Sequence, residues 1–194
     1  MARRIGTESS KTRAVLVEAT ERLMLDEGYA AVSSRRVAAA ADVKPALVHY
    51  YFPTMDDLFL AVFRRGAERS MDVFAAAVGS DRPLRALWQA GKDQRGVTFL
   101  TEFSALSRHR PAVRAAIAEY GERFRTLQLD TVRRVLEAHG IADGFVTAEA
   151  VVVLFTSLST TMVLERGLGM STGHDEAVAL VEYLLDLYEP APAC

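Results

Sequence analysis

Two stretches of this sequence contain residue types whose spacing could do chemistry. The first is the segment 169–173, which reads GMSTG and is followed at once by His174 and Asp175. A Gly-x-Ser-x-Gly nucleophile elbow requires its serine on a strained strand-to-helix turn, with a histidine and an acid brought in from elsewhere in the fold. Here the segment follows a predicted helix, and the adjacent histidine and aspartate cannot fold back onto Ser171. We interpret it as a loop between helices, and we predict neither a catalytic residue nor an enzyme.

The second stretch is the polar side of residues 44–50. Lys44 can supply charge to a phosphate or donate hydrogen bonds to guanine. Pro45 and Ala46 are slim, so a helix that begins with them can bring its backbone close to base edges. His49 and Tyr50 follow one turn later on the same outward side. This pattern is typical of a helix that enters the major groove.

The surrounding sequence indicates how these residues are positioned. Ser33 is a suitable cap for a short helix with Val37 and Ala41 inward, and Asp42 and Val43 form the turn after it. Proline suits the first position of a helix, and it drives the residue before it towards extended geometry. Pro45 and Pro53 therefore delimit a second short helix, and Thr54 caps a longer one. The arrangement predicts a helix-turn-helix, preceded by a helix over 11–27 with Ser10 as its cap.

The remainder of the chain also has helical punctuation. Pro83 and Pro111 open helices, Thr147 caps another, and the last runs from His174 to Tyr188. Alternating β-branched strands are absent from the pattern. We predict an all-α fold in which residues 1–53 form a three-helix DNA-binding domain. Residues 54–194 are expected to form a second helical domain, linked to the first by the helix that starts near Thr54.

Composition bounds the class of protein. The chain has 194 residues, half of them hydrophobic, a net charge of −2 and one cysteine, Cys194. Such a chain can bury a large core, and a lone cysteine excludes a disulfide within the chain and a cysteine-based zinc site. No apolar run approaches the roughly 18 residues that cross a bilayer, and residues 1–10 lack the apolar stretch of a signal peptide. We expect a cytoplasmic protein with no cofactor, metal or membrane contact.

Charge is distributed unevenly along the chain. Residues 1–52 carry eight basic and six acidic side chains, a net charge of +2, so the rest of the chain carries −4. The near-neutral total does not fit a protein that coats nucleic acid indiscriminately. The mild asymmetry is compatible with a polyanionic partner at the N-terminal end.

Residues 11–63, roughly a third of the chain, resemble the N-terminal head of the TetR family of regulators. The resemblance is carried by VSSRRVA at 32–38, by Asp42-Val43, by LVHYYFP at 47–53 and by Asp57-Leu58 in this spacing, with Gly28-Tyr29 after the first helix. It implies that two side chains of the second helix touch phosphate or a base edge, that the start of the third faces the groove, and that its later aromatic and histidine side chains meet sugar and phosphate. The DNA-binding residues implied are Ser34, Arg35, Lys44, Pro45, Ala46, His49, Tyr50 and Thr54.

The sequence departs from the family pattern at two positions. Asp42 stands where many relatives have glycine, so either the turn differs slightly or Asp42 adopts a left-handed conformation, which aspartate tolerates. Met55 stands where relatives often have lysine. The phosphate contact of that lysine is missing here, and backbone N–H groups at the start of the helix are the candidates to replace it.

The resemblance also implies an effector pocket within the C-terminal helices. Aromatic and sulfur side chains with an occasional hydroxyl favour a small, largely apolar ligand, although an aromatic stripe at helical spacing is more often ordinary core. The candidate pocket residues are Trp88, Phe99, Phe103, Phe124, Leu127, Phe155, Ser159 and Met162.

The last two helices are apolar on more than one face. They could pair with their symmetry mates as a four-helix dimer interface, or they could simply cover one another. The candidate interface residues are Val151, Leu154, Leu158, Leu180, Val181, Leu184 and Tyr188. A twofold axis would set two recognition helices roughly 34 to 36 Å apart, which predicts a palindromic operator.

The function predicted from these features is a dimeric, ligand-responsive DNA-binding regulator, with repression as the usual outcome in the family. The effector would tilt the helix that starts near Thr54 and change the separation of the two heads, through its different affinities for two states. The alternative is a helical ligand-binding or interaction protein whose head does not bind specific DNA sequences. A salt-dependent gel shift on a palindromic site distinguishes the two.

Overall fold

The computed structural model describes residues 7–140 and 146–190, with side chains described from residue 11 onwards. Residues 1–6 and Cys194, on which the predictions of an absent signal peptide and of no disulfide depend, lie outside this part of the chain. The described elements are all helical, which confirms the predicted class. They are α1 (Thr7–Glu27), a 3-10 turn (Tyr29–Ala31), α2 (Ser34–Ala40), α3 (Pro45–Tyr51), α4 (Met55–Val78), α5 (Pro83–Gly91), α6 (Gln94–Ser107), α7 (Pro111–Ala138), α8 (Ala148–Gly167) and α9 (His174–Tyr188).

Most of the predicted helix starts are confirmed. The Ser33 hydroxyl accepts from the Arg36 N–H at 3.4 Å, and the Thr147 hydroxyl accepts from the Ala150 N–H at 3.1 Å. Pro45 occupies the first turn of α3. The prediction for α1 is wrong at its start, because the helix begins at Thr7 and Ser10 lies inside it. Serine is only mildly unfavourable within a helix, so a possible cap residue does not oblige the helix to start there.

Contacts divide the chain into two compact units. Unit 1 contains the residues up to Glu68 together with Thr98–Glu119, and unit 2 contains Arg69–Val97 together with the residues from Tyr120 onwards. Three helices, α4, α6 and α7, therefore contribute a segment to each unit. This division describes how the chain packs. The predicted boundary between residues 53 and 54 instead separates a DNA-binding part from an effector-binding and dimerisation part, and it stays a prediction.

Unit 1 is built around α1 and the first part of α4. Leu16, Val37, Val48 and Leu58 are buried. An aromatic cluster extends this core, since the Phe63 ring lies 5.2 Å from Phe103 and 6.2 Å from Phe99, centroid to centroid. The short helices α2 and α3 are thus attached to a firm base through one apolar side each.

Unit 2 has its own core, in which α5 and α8 are close neighbours. Its buried members are Leu84, Trp88, Val132, Leu136, Ala148, Val152, Met162, Val181 and Leu185. At its edge the Arg133 guanidinium lies 2.5 Å from the Glu149 carboxylate. The hydrogen bond from Arg133 lowers the pKa of Glu149 and raises that of Arg133, and it ties α7 to the first turn of α8.

The helix α8 is long and apolar enough to cross a bilayer, judged by length and composition alone. The expectation that no apolar stretch reaches that length is wrong for this helix, because residues 150–164 contain no charged side chain. One side of α8 is buried in unit 2 through Val152 and Met162, while Leu154 and Leu164 on another side are exposed. A helix that is apolar on two sides has a high mean hydropathy whether or not it meets lipid.

Candidate nucleic-acid interface

The helices α2 and α3 are joined by a tight turn at Asp42. This is the only non-glycine residue with positive φ among the described residues, at 52°. The Val43 N–H donates to the Ala38 carbonyl at 3.0 Å and closes the turn. The left-handed conformation considered for Asp42 is therefore confirmed, and aspartate replaces glycine here at modest cost.

The helix α3 is a short rod bounded by extended residues. Lys44 before it has φ −72° and ψ 139°, and Phe52 after it has φ −134° and ψ 94°. Inside the rod only Val48 is buried. Phe52 is also buried, and the Arg13 guanidinium lies 4.9 Å above its ring. The rod is thus held at one side and at its C-terminal end, which leaves its other faces free.

The exposed face of α3 collects most of the predicted DNA-binding residues. Tyr50 is 70% exposed, and the Tyr51 ring supports it edge-on at 5.1 Å. Ser34 on α2 is half-buried. The other predicted residues are all exposed, namely Arg35, Lys44, Pro45, Ala46, His49 and Thr54. The structure brings them to the surface of unit 1, and their contact with DNA stays a prediction.

Two arginines near this surface have structural partners instead. Arg36 bonds to both carboxylate oxygens of Glu27, at 2.6 and 2.7 Å, and ties α2 to the end of α1. Arg22 donates to the carbonyl of Ala40 at 3.1 Å, at the end of α2. Sequence reasoning did not identify these pairs, since partners 9 and 18 residues apart become neighbours only through the fold. They hold α2 on α1, which leaves Arg35 and Lys44 as the exposed arginine and lysine among the predicted DNA-binding residues.

The start of α4 has a capping box. The Asp57 N–H donates to the Thr54 hydroxyl at 3.1 Å, and the Thr54 N–H donates to the Asp57 carboxylate at 3.0 Å. The cap predicted for Thr54 is confirmed. Asp56, the residue before Asp57, pairs with the guanidinium of Arg110, which immediately precedes α7. Both acidic groups of this first turn are therefore occupied.

Gly28 lies where α6 meets the end of α1 within unit 1. It has φ 82°, and a Cβ there would lie 3.5 Å from a carboxylate oxygen of Glu102. That carboxylate accepts from the Tyr29 N–H at 2.6 Å. The Gly28-Tyr29 pair belongs to the family resemblance, whereas nothing in the sequence indicates that Glu102 is its partner. The contact between Glu102 and Tyr29 attaches α6 to the turn after α1, in the unit that also contains α2 and α3.

The predicted pocket residues do not form one set. Phe99 and Phe103 belong to the aromatic core of unit 1, whereas the other six belong to unit 2. In unit 2 the rings of Trp88 and Phe155 lie 5.7 Å apart, while Phe124 pairs with Phe74 at 5.4 Å. Half-buried Leu127 and buried Met162 complete the set. Phe99 and Phe103 pack against Phe63, and their part in a pocket stays a prediction.

Two polar groups of the predicted pocket behave differently. The Ser159 hydroxyl donates to the Phe155 carbonyl at 2.8 Å. The same oxygen would lie 3.0 Å from a Cβ at Gly91. Ser159 therefore packs where α5 and α8 approach each other closely. The indole N–H of Trp88, by contrast, is buried and has no hydrogen-bond partner among the described residues. The Lys92 ammonium lies 5.0 Å above the same indole. Trp88 remains the strongest pocket candidate.

An open cleft of about 460 Å³ in unit 2 is lined by none of the predicted pocket residues. It lies between the start of α5 and the C-terminal ends of α7 and α9, with Arg82, His139 and Tyr188 among its walls. Because it faces solvent and contains both acidic and basic side chains, it does not resemble an enclosed site for an apolar effector.

The predicted dimer residues split between core and surface. Leu154 and Leu180 are 67% and 60% exposed. Val181 is buried, and Val151, Leu158 and Tyr188 pack against the core of unit 2, so these four offer little area to a partner. Leu184 is half-buried. The exposed side of α8 and α9 also includes residues that sequence reasoning missed, namely Val153, Leu164, Tyr183 and Leu187.

The segment that resembles a nucleophile elbow is a turn between α8 and α9. Gly169 and Gly173 have φ values of 80° and 83°. His174 is buried and its Nε2 lies 2.7 Å from the Glu165 carboxylate, which joins the two helices. His174 is thus a structural residue whose imidazole is paired with Glu165, while its backbone N–H donates to the Ser171 carbonyl at 3.1 Å.

Comparison with known proteins gives a consistent result for the N-terminal part. Residues 16–62 match the family model described as bacterial regulatory proteins, tetR family. The HTH-type transcriptional regulator BetI of Rhizobium meliloti (strain 1021) is 35% identical over 75 residues, which is 39% of this chain and 36% of that protein. The match therefore spans little more than a third of the relative's length. These matches are to regulators and not to enzymes, in agreement with the prediction.

Solved structures share the fold of nearly the whole chain. A TetR-family regulator from Rhodococcus sp. is 17% identical with a TM-score of 0.73, covering 92% of this chain and 99% of that one. A regulator from Saccharomonospora viridis in complex with choline is 18% identical with a TM-score of 0.73, covering 84% and 88%. The multidrug binding protein EbrR, complexed with imidazole, is 25% identical with a TM-score of 0.63, covering 93% and 96%.

Proposed function

We propose that this chain is a TetR-type regulator, a cytoplasmic, dimeric repressor that binds a palindromic DNA operator and responds to a small, largely apolar effector. The match of residues 16–62 to the tetR family model supports this proposal. The observation that carries the proposal is the rod α3. Val48 is its one fully buried residue, Leu47 and Tyr51 are half-buried, and it presents Lys44, Ala46 and Tyr50 to solvent. A rod of this length and slimness can lie in a major groove, with Lys44 at its leading end.

The chemistry of this face suits DNA in two ways. Lys44 and Arg35 supply positive charge, which accounts for affinity to any sequence and for its dependence on salt. The slim start at Pro45 and Ala46 lets the helix approach base edges, where sequence is read. His49 and Tyr50 can donate to sugar and phosphate oxygens at the flank of the groove. The proposed reader is therefore the first turn of α3, and the rest of α3 positions it.

A dimer is supported by the exposed apolar residues of α8 and α9. Leu154, Leu180 and Tyr183 are each at least 60% exposed. Exposed apolar surface marks interaction sites in soluble proteins where such residues form a patch. A symmetric pairing of these helices would present two α3 rods to successive turns of one DNA face, which requires an operator with twofold symmetry.

An effector site in unit 2 is supported by Trp88. A buried N–H without an acceptor costs free energy, which a ligand with a hydrogen-bond acceptor would recover. Trp88 is the single tryptophan of the chain, so binding at this site is expected to change the intrinsic tryptophan fluorescence. Two structural neighbours are complexed with choline and with imidazole. In this chain the aromatic surroundings favour a more apolar molecule with one acceptor.

The proposal is tested with DNA-binding measurements on the full chain. A duplex is selected by the wild-type protein from a random-sequence pool and compared with a shuffled duplex of equal length. Lys44→Ala and Tyr50→Ala are expected to weaken binding to the selected duplex by about 1 to 3 kcal/mol, since each removes a groove or backbone contact. Arg166→Ala, which removes an exposed charge from the last turn of α8, is the matched control.

Each outcome of this experiment has a defined meaning. Selection of a palindrome, with loss of affinity only in the two α3 variants, supports the proposal. If the wild-type protein selects no sequence, the chain is a ligand-binding or interaction protein without specific DNA binding. If it selects a sequence but both α3 variants bind as tightly as wild type, the recognition helix is misplaced.

A further inference from the structure

The turn between α6 and α7 concentrates positive charge. Arg108, His109 and Arg110 are consecutive, and Arg114 follows one turn into α7. Arg108, His109 and Arg114 are exposed, and their side chains have no ion-pair partner among the described residues. We refer to Arg108, His109 and Arg110 as the basic turn. Exposed arginines without partners keep their full charge available to an anion from outside the chain.

Arg110 determines where the basic turn lies within unit 1. Its guanidinium pairs with the carboxylate of Asp56 in the first turn of α4 and lies 5.1 Å above the ring of Phe59. Its carbonyl accepts from the Arg114 N–H at 3.1 Å, so the same residue begins α7. The basic turn therefore lies beside the start of α4, which follows α3 after only Phe52, Pro53 and Thr54.

The start of α4 would otherwise repel a phosphate. Its first turn holds Asp56 and Asp57, and Met55 contributes no charge. The carboxylate of Asp57 is occupied by the N–H and hydroxyl of Thr54. The carboxylate of Asp56 is paired with Arg110, whereas Asp57 keeps its negative charge. Arg108 and Arg114 are the arginines of this edge without an ion-pair partner among the described residues. Asp56 and Asp57 carry a charge of −2, Arg108 and Arg110 bring the local sum to zero, and Arg114 brings it to +1.

We propose that the basic turn is a second DNA-backbone contact, outside the helix-turn-helix, in which Arg108 binds a phosphate that flanks the site read by α3. This inference rests on the proposed function. Met55 provides no positive charge for a phosphate. The proposal assigns that contact to Arg108, 53 positions downstream. Arg110 acts as a positioning residue, since it fixes the turn and masks Asp56. A guanidinium is suited to this role because it binds phosphate through two parallel N–H groups.

The test measures how the affinity for DNA depends on salt. The full chain, Arg108→Ala and the control Arg166→Ala are titrated with the selected duplex and the shuffled duplex between 50 and 200 mM salt. Loss of one phosphate contact lowers the slope of log affinity against log salt concentration by about 0.9. For Arg108→Ala we expect this change on both duplexes, with affinity about five- to tenfold weaker near 0.1 M salt, because a phosphate contact carries no sequence information.

The outcomes separate this inference from the proposed function. A wild-type slope and affinity in Arg108→Ala, while Lys44→Ala weakens binding, overturn the second contact and leave the regulator intact. An equal loss in Arg166→Ala also overturns it, because the effect would then be one of net charge. Absence of wild-type binding to either duplex overturns the proposed function itself. Because Arg108 is exposed and unpaired, its substitution is not expected to alter the thermal unfolding midpoint, which is measured alongside.

Discussion

At the scale of single residues, a glycine decides how closely α4 and α6 approach in unit 1. Gly66 is buried in α4, and a Cβ at that position would lie 2.9 Å from Cε1 and Cε2 of Phe99 and closer still to Cζ. No real Cβ tolerates such distances, so the Phe99 ring occupies the space that a side chain would need. Sequence reasoning assigned Phe99 to an effector pocket because an aromatic residue at helical spacing does not reveal which helix it faces.

Gly66→Ala is therefore expected to destabilise unit 1. Alanine favours helix over glycine by up to about 1 kcal/mol, but overpacking of a core costs about 1 to 3 kcal/mol, so a net loss is expected. The free energy of unfolding is measured by urea denaturation. The double variant Gly66→Ala/Phe99→Ala should lose less than the sum of the single variants, because the clash is removed together with the ring.

Gly121→Ala is the matched control for this prediction. Gly121 lies inside α7, and a Cβ there would meet nothing within 4 Å. Only the gain in helix propensity remains, so this variant should be more stable than wild type by about 0.5 to 1 kcal/mol. Equal effects of the two substitutions would show that the contact between Gly66 and Phe99 does not exist in solution.

At the scale of elements, α5 and α9 stabilise each other's ends in unit 2. The carboxylate of Glu189 accepts from the N–H groups of Leu84 and Arg85 at 2.7 and 2.9 Å, at the start of α5. In return the Arg82 guanidinium donates to the carbonyl of Glu189 at the end of α9, with an Nε to O distance of 2.9 Å. A negative group at a helix start and a positive group at a helix end both oppose the helix dipole. The residue before α5 has no side-chain cap of its own.

Glu189→Ala should therefore destabilise unit 2 through a residue that lies outside any helix. The N–H groups of Leu84 and Arg85 lose their acceptor, and Glu189 itself is buried, so a loss of about 1 to 3 kcal/mol is expected. Chemical denaturation measures it, with hydrogen exchange of the first turn of α5 as the local readout. Glu122→Ala, at an exposed site of α7, provides the comparison. Unchanged exchange at Leu84 and Arg85 would contradict the cap.

The helices themselves were largely predictable, and this pair of caps shows what was not. Ser33, Pro45, Pro53, Thr54 and Thr147 act on residues within four positions, so the sequence pattern alone indicated the boundaries of α2, α3 and α8. Glu189 acts on residues 104 and 105 positions away, and Glu102 acts on Tyr29 across 73. Such partners follow from the packing of whole helices. The exposed face of α3 was predictable because local signals set the bounds of that helix. The division of the pocket residues between two units was not predictable, because it depends on how whole helices pack.

At the scale of the whole molecule, the exposed apolar residues of α8 and α9 are the candidate surface for the proposed dimer. The spacing of Leu180, Tyr183 and Leu187 places them on one side of α9, while Val153, Leu154 and Leu164 are the exposed large apolar residues within α8. The predicted interface included Leu154 and Leu180 but also residues of the chain's own core, since α8 and α9 are apolar on two sides. Periodicity cannot say which side faces inward, so the interface is redrawn around the exposed set.

The double variant Leu154→Glu/Leu180→Glu is expected to be a folded monomer. Both side chains are exposed in the single chain, so the charges cost little there, whereas burying four uncompensated carboxylates in a symmetric interface costs several kcal/mol. Sedimentation equilibrium should show the mass falling from twice 21.3 kDa to 21.3 kDa, with an unchanged circular dichroism spectrum. Affinity for the palindromic duplex should fall towards that for a half-site, because a monomer has one recognition helix.

Leu100→Glu is the control, since Leu100 is an exposed leucine of α6 outside the redrawn interface. It should remain dimeric and bind the palindrome as wild type does. A dimer that survives in the double variant would mean that α8 and α9 do not form the interface, and the spacing of the two α3 rods would then have to be set by another surface. A monomer that still binds the full palindrome with wild-type affinity would remove the reason for twofold symmetry in the operator, because each half-site would then be bound independently.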